Sequence, residues 1–191
     1  MSGCGGGPIW SAPMNFSLHE HHAGVETAPG RRVVYDLAGN VAHFGAARVD
    51  GHALVWELGS DGRGALLARE VELDPATPWL ARCDRIDFPP GGVAYAHTHP
   101  GPGIRYLLHG RLKITTEGRT TAYEPGGAWF ESGPDPVLAV ASDTEETAFV
   151  RVLLLPAEWE GKRTIRYVDP ADEEKPRLQR PTLFFDRPLA A

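Results

Sequence analysis

Two histidines one residue apart, His97 and His99, stand in the stretch AHTHPGPGIRYLLHG (residues 96–110), just ahead of a Gly/Pro turn and an apolar run. On a β-strand alternate residues share a face, so the two imidazoles project the same way from Cα atoms roughly 6.5–7 Å apart and can converge on one cation. Two neutral nitrogens alone make a poor site, because iron, zinc and nickel usually recruit three or more protein ligands. The chemistry therefore turns on what else the fold brings to the pair.

The elements that must do so are short. Runs rich in Val, Ile, Leu and aromatics (RRVVYDL, HALVWELG, ALLAREVEL, ARCDRIDF, IRYLLHG, RLKITTEG, GAWFES, VLAVAS and AFVRVLLLP) recur between Gly, Pro and Asp punctuation. That spacing predicts an all-β sandwich or barrel, and no stretch of helical period is long enough to compete. Residues 1–29, rich in Gly, Pro and His, read as a loose N-terminal arm. Residues 30–156 read as the barrel with its leading strands. The polar stretch 157–191 reads as an extension packed on the barrel, with Phe184 and Phe185 as apolar anchors.

Composition narrows the partners. A 191-residue chain with 42% hydrophobic and 23% charged residues suits a single globular domain. The formal net charge of −6 and the lack of any Lys/Arg cluster argue against a nucleic-acid surface and leave a small molecule as the expected partner. No run approaches the roughly 18 apolar residues of a membrane helix, and the first ten residues have neither a basic nor an apolar signal region, so a cytoplasmic protein is expected. Cys4 and Cys83 are too few for a disulfide framework and read as free thiols.

Gly91, His97, His99 and Gly110 fit the pattern Gly-x5-His-x-His-x3-Glu-x6-Gly, and Pro125 and Gly127 in EPGG fit part of a second one. In these residues the chain resembles the cupin superfamily, most closely its single-domain members and loosely the acetylacetone-dioxygenase type, which shares a similar Gly/Pro turn and a Phe-Glu-Ser like Phe130, Glu131 and Ser132. The resemblance implies a cupin β-barrel, the double-stranded β-helix or jelly roll, flanked here by N- and C-terminal extensions. It also implies a mononuclear divalent metal, with Fe(II) favoured over Zn, Ni or Mn. Gly103 stands where the pattern has its glutamate ligand, and the third histidine position falls at or beside Val137.

Glu131 is the candidate replacement. A carboxylate joining two histidines makes the facial set typical of oxygen-activating Fe(II), while the competing reading leaves Glu131 outside the ligand shell or in solvent. Strand alternation that turns position 103 inward also turns Arg105, Leu107 and His109 inward. A buried guanidinium needs an anion, so Arg105 either pairs with Glu131 or another internal acid, or clamps an anionic ligand beside the metal. Trp129 and Phe130 are candidate pocket walls, and His109 a candidate contact nearer the rim. His43, His52 and the HEHH group (His19, His21, His22) have no assigned place.

Two functions follow. In one, a metal held by His97, His99 and Glu131, with Glu131 and Arg105 as catalytic groups, serves a dioxygenase of a small keto or carboxylic compound. In the other, the site has lost its metal and the protein is a non-catalytic small-molecule binding or sensing cupin. On either reading the small barrel is expected to pair as a homodimer.

Overall fold

The computed structural model describes residues 13–189. The first third contributes β1 (Met14–His21), β2 (Val25–Thr27), β3 (Arg32–Asp36), β4 (Val41–Phe44), β5 (Ala47–Val49), β6 (Ala53–Leu58) and β7 (Leu67–Val71). The middle contributes β8 (Trp79–Phe88), β9 (Val93–Thr98), β10 (Gly103–His109), β11 (Leu112–Thr116), β12 (Arg119–Tyr123), β13 (Ala128–Glu131), β14 (Val137–Ala141) and β15 (Thr147–Pro156). After two short 3-10 turns and a short strand, β16 (Arg166–Tyr167), the description ends with β17 (Arg180–Pro188). Among the described residues there is no α-helix, and no helix long and apolar enough to cross a membrane.

Three five-stranded antiparallel sheets stack in layers. The first has the order β4-β3-β6-β1-β7, the second β13-β10-β15-β8-β17 and the third β12-β11-β14-β9-β16. Sheets two and three face each other as the jelly-roll barrel around Ile86, Phe88, Leu107, Leu112, Trp129, Val137 and Phe149. Sheet one lies on the outer face of sheet two, joined through Phe16, Leu18, Trp56, Ile104, Tyr106, Val150 and Val152. Because sheet two is covered on both faces, β15 reads AFVRVLLL without apolar/polar alternation, and nearly every residue in it is buried.

The loose arm expected over residues 1–29 does not hold for the described part of it. β1 is an interior strand, paired with β6 on one side and β7 on the other. Phe16 and Leu18, two residues apart, are fully buried, and two-sided pairing satisfies the backbone that the intervening polar residues could not pack. Residues 1–12 lie outside the described residues. The C-terminal extension also enters the ladder: β17 pairs with β8 from Arg180↔Asp87 to Pro188↔Leu80. A bulge between Leu183 and Phe185 breaks the alternation, so that the adjacent Phe184 and Phe185 both reach sheet one, against Tyr35 and Phe44.

Candidate functional site

His97 lies near the end of β9 and His99 just past it, and both line the barrel interior, each 5% exposed. β14 pairs beside β9 with Val137 opposite His97, so Val137 does occupy the place from which a third histidine would reach the pair. On sheet two, β13 pairs with β10 with Glu131 opposite Gly103. The carboxylate that position 103 lacks is thus supplied by the neighbouring strand.

Gly103 has a steric reason to be glycine. A Cβ there would lie 2.8 Å from Arg105 Nη1, 2.8 Å from the Val152 carbonyl oxygen and 2.5 Å from a Leu153 methyl. The Arg105 guanidinium folds back over the glycine and donates from Nη1 to its carbonyl at 2.7 Å. Its Nη2 lies 2.5 Å from Glu131 Oε2, the ion pair that a buried arginine requires. The contact is close but poorly aligned, for neither atom has a well-directed hydrogen bond. Trp129 Nε1 donates to the other carboxylate oxygen at 2.8 Å and fixes its plane.

A second buried pair was not foreseen. Arg151 on β15 makes two hydrogen bonds to Asp84 on β8, at 2.6 and 2.9 Å, and its Nη1 lies 3.4 Å from His99 Nε2. The signal was present in the sequence as a lone arginine inside AFVRVLLLP and as Asp84, on the same strand face as Ile86 and Phe88, inside ARCDRIDF. Two guanidiniums and two carboxylates leave the histidine pair in a surround of zero net formal charge.

Both histidines are held neutral. Burial pushes the pKa of His97 down, partly countered by the Glu131 charge; burial and then the Arg151 and Arg105 charges push that of His99 well below its usual value. Burial likewise lowers Arg105 to about 10, with Glu131 opposing. Neutral imidazoles have lone pairs to give, and here the lone pairs conflict. Nδ1 of His97 lies 2.6 Å from the Tyr95 carbonyl oxygen and must carry the proton, so Nε2 is an acceptor. It faces His99 Nε2 at 3.2 Å. With a proton on that atom, His99 serves His97 but opposes the Arg151 donor; without it, His99 accepts from Arg151 but opposes the lone pair of His97.

A cation between the two Nε2 atoms would take both lone pairs and relieve the His97–His99 contact, leaving Arg151 to Asp84 alone. The 3.2 Å between the two Nε2 atoms, and the 3.6 Å from His99 Nε2 to Glu131 Oε2, suit neighbouring ligand atoms around one ion with bonds of about 2.1 Å. Among the described residues, the three-residue group whose ligand atoms all lie within 4.8 Å of one another is a different one, Glu20, His22 and His52, so Glu131 would have to shift to join both histidines on one ion, and the two flanking guanidiniums would lower that ion's affinity.

Ile165 and Gln179, from the C-terminal extension, line the cavity with His97, His99, Trp129, Glu131 and Arg151. Its volume is about 30 Å³, room for about two waters. The remaining expected site residues lie elsewhere. Phe130 sits on the opposite face of β13, against the first-sheet core, and His109 is exposed at the rim beside Arg85 and the Glu146 carbonyl. A separate His/Glu group, Glu20, His22 and His52, brings one ligand atom from each residue within 4.8 Å of the others.

Residues 84–136, from β8 to the turn after β13, match the cupin domain family. Among solved structures, the polyketide cyclase RemF from Streptomyces resistomycificus is similar at 21% identity and a TM-score of 0.39, over 57% of this chain and 79% of that one. No curated protein matched the sequence.

Proposed function

We propose that the barrel holds one divalent cation between His97 and His99 with Glu131 as the third ligand, and serves as an Fe(II)-type dioxygenase of a small keto or carboxylic compound. The observation that carries this reading is the pair of facing Nε2 atoms 3.2 Å apart with Arg151 Nη1 3.4 Å from one of them, two contacts that no single tautomer of His99 satisfies together. Two histidines and one carboxylate form the set typical of non-haem Fe(II), and a cation so bound supplies Lewis-acid polarisation or dioxygen activation. The chain's own groups do the rest. The Tyr95 carbonyl orients His97, Trp129 orients Glu131, and Arg105 offsets the Glu131 charge or releases it to the cation. An anionic substrate beside the ion restores the charge balance that a bare dication upsets. With a cavity of about 30 Å³, a keto acid enters only if some of the lining side chains shift.

Anaerobic loading with Fe(II), followed by oxygen uptake with β-dicarbonyls and keto acids, tests this. Uptake matched by substrate loss, and reduced about 100-fold or more in Glu131→Gln, is the expected result. Iron-loaded protein that consumes no oxygen with any of them would refute the dioxygenase. One observation favours a second reading, a metal-free ligand-binding barrel: the Arg105–Glu131 and Arg151–Asp84 pairs already balance each other without an ion. That reading requires unchanged ligand binding and thermal stability after chelation.

A further inference from the structure

We propose a second cation site at Glu20, His22 and His52, outside the barrel, that takes a borderline transition ion such as zinc, nickel or copper and joins the ends of β1 and β6. It stands independently of the barrel site.

β1 and β6 pair in antiparallel register. Phe16 pairs with Leu58, Leu18 with Trp56 and Glu20 with Leu54; continuing the same antiparallel count places His22 opposite His52. Even-numbered residues of both strands share the face that packs on the barrel, where Phe16, Leu18, Leu54, Trp56 and Leu58 form the core. This apolar ladder ends in one carboxylate and two imidazoles on the same face. A strand end needing only solubility would turn such groups outward; here Glu20 meets the barrel, accepting from Tyr106 Oη on β10 at 2.6 Å and pairing with His52 Nε2 at 2.8 Å.

The group is assembled as ligands are. Glu20 is on β1, His22 lies in the turn just past its end, His52 immediately precedes β6, and their ligand atoms all lie within 4.8 Å. The two histidine rings are 4.6 Å apart between centroids. Tyr106 holds the carboxylate from behind, as outer partners of metal-binding carboxylates do. A bound cation replaces the proton shared by His52 and Glu20, and the exposed His22 ring closes the remaining gap. Two imidazoles with one carboxylate suit zinc, nickel or copper over the oxygen-seeking magnesium or calcium. Occupation crosslinks the ends of the paired strands β1 and β6 and raises stability by mass action.

Zinc titration of the full chain, wild type beside His22→Ala/His52→Ala, tests the site. The wild type is expected to bind one zinc equivalent more than the variant and to show a larger zinc-dependent rise in Tm than the variant does. His22→Gln keeps the bonds among Glu20, His52 and Tyr106, so it preserves the fold; it should weaken this equivalent at least tenfold. Equal stoichiometry and affinity in wild type and His22→Gln would overturn the proposal. In His97→Ala/His99→Ala this zinc equivalent should remain, which separates the result from the fate of the barrel site.

Discussion

Arg105→Leu is expected to lower the free energy of unfolding by about 3–5 kcal/mol, because it leaves Glu131 buried without its ion pair. Arg105 is fully buried, and its guanidinium holds both Glu131 and the Gly103 carbonyl. Leucine fills part of the volume but answers neither group. Adding Glu131→Gln should recover a large part of the loss, and urea denaturation of the two single variants and the double variant gives the coupling directly. The same substitution should act oppositely on the cation: without Arg105 the Glu131 carboxylate has only Trp129 as partner and is free to ligate, so metal affinity should rise. A metal-loaded Arg105→Leu protein nearer wild-type stability than its metal-free form would join the two effects. Equal affinity in both proteins would mean that Glu131 is not a ligand.

Gly103→Glu restores the glutamate of the cupin pattern, yet it is expected to cost about 3 kcal/mol or more and to gain no metal. A Cβ at this position runs into a backbone oxygen, a leucine methyl and the Arg105 guanidinium, which is overpacking of a filled core. The new carboxylate would also arrive beside Glu131, its strand partner, and two carboxylates at one site repel. Arg105 therefore occupies the room that the family's glutamate would need, and Gly103 and Arg105 act as one exchange. Combining Gly103→Glu with Arg105→Ala should relieve most of the cost in Tm; a double variant no better than Gly103→Glu alone would show that the Val152 and Leu153 contacts dominate.

Much of this site could be read from spacing. His97 and His99 share a face because they are two apart on a strand, and the same alternation turns Arg105 inward to Glu131. Gly103 and Val137 stood out as positions where ligands are replaced, and both line up with the site in register. Three features escaped. The strand MNFSLHEH carries only two core apolar residues among polar ones, so its place inside a sheet depends on partners far along the chain. The Arg151–Asp84 pair joins residues 67 positions apart, a pairing that local pattern does not specify. Gln179 closes the cavity from a segment whose path is set by tertiary contact rather than periodicity. Phe130 fell on the other face because Trp129 and Glu131, its neighbours, both point into the barrel.

The central claim is that His97 and His99 seat an ion. The most direct measurement is elemental analysis of protein purified without a histidine tag, wild type beside His97→Ala/His99→Ala, with circular dichroism to confirm that both are folded. The account predicts that the wild type carries about one equivalent of iron, zinc or nickel more than the folded variant. Equal metal content in the two proteins would contradict it, and would mark the pair as neutral members of an internally balanced hydrogen-bonding group.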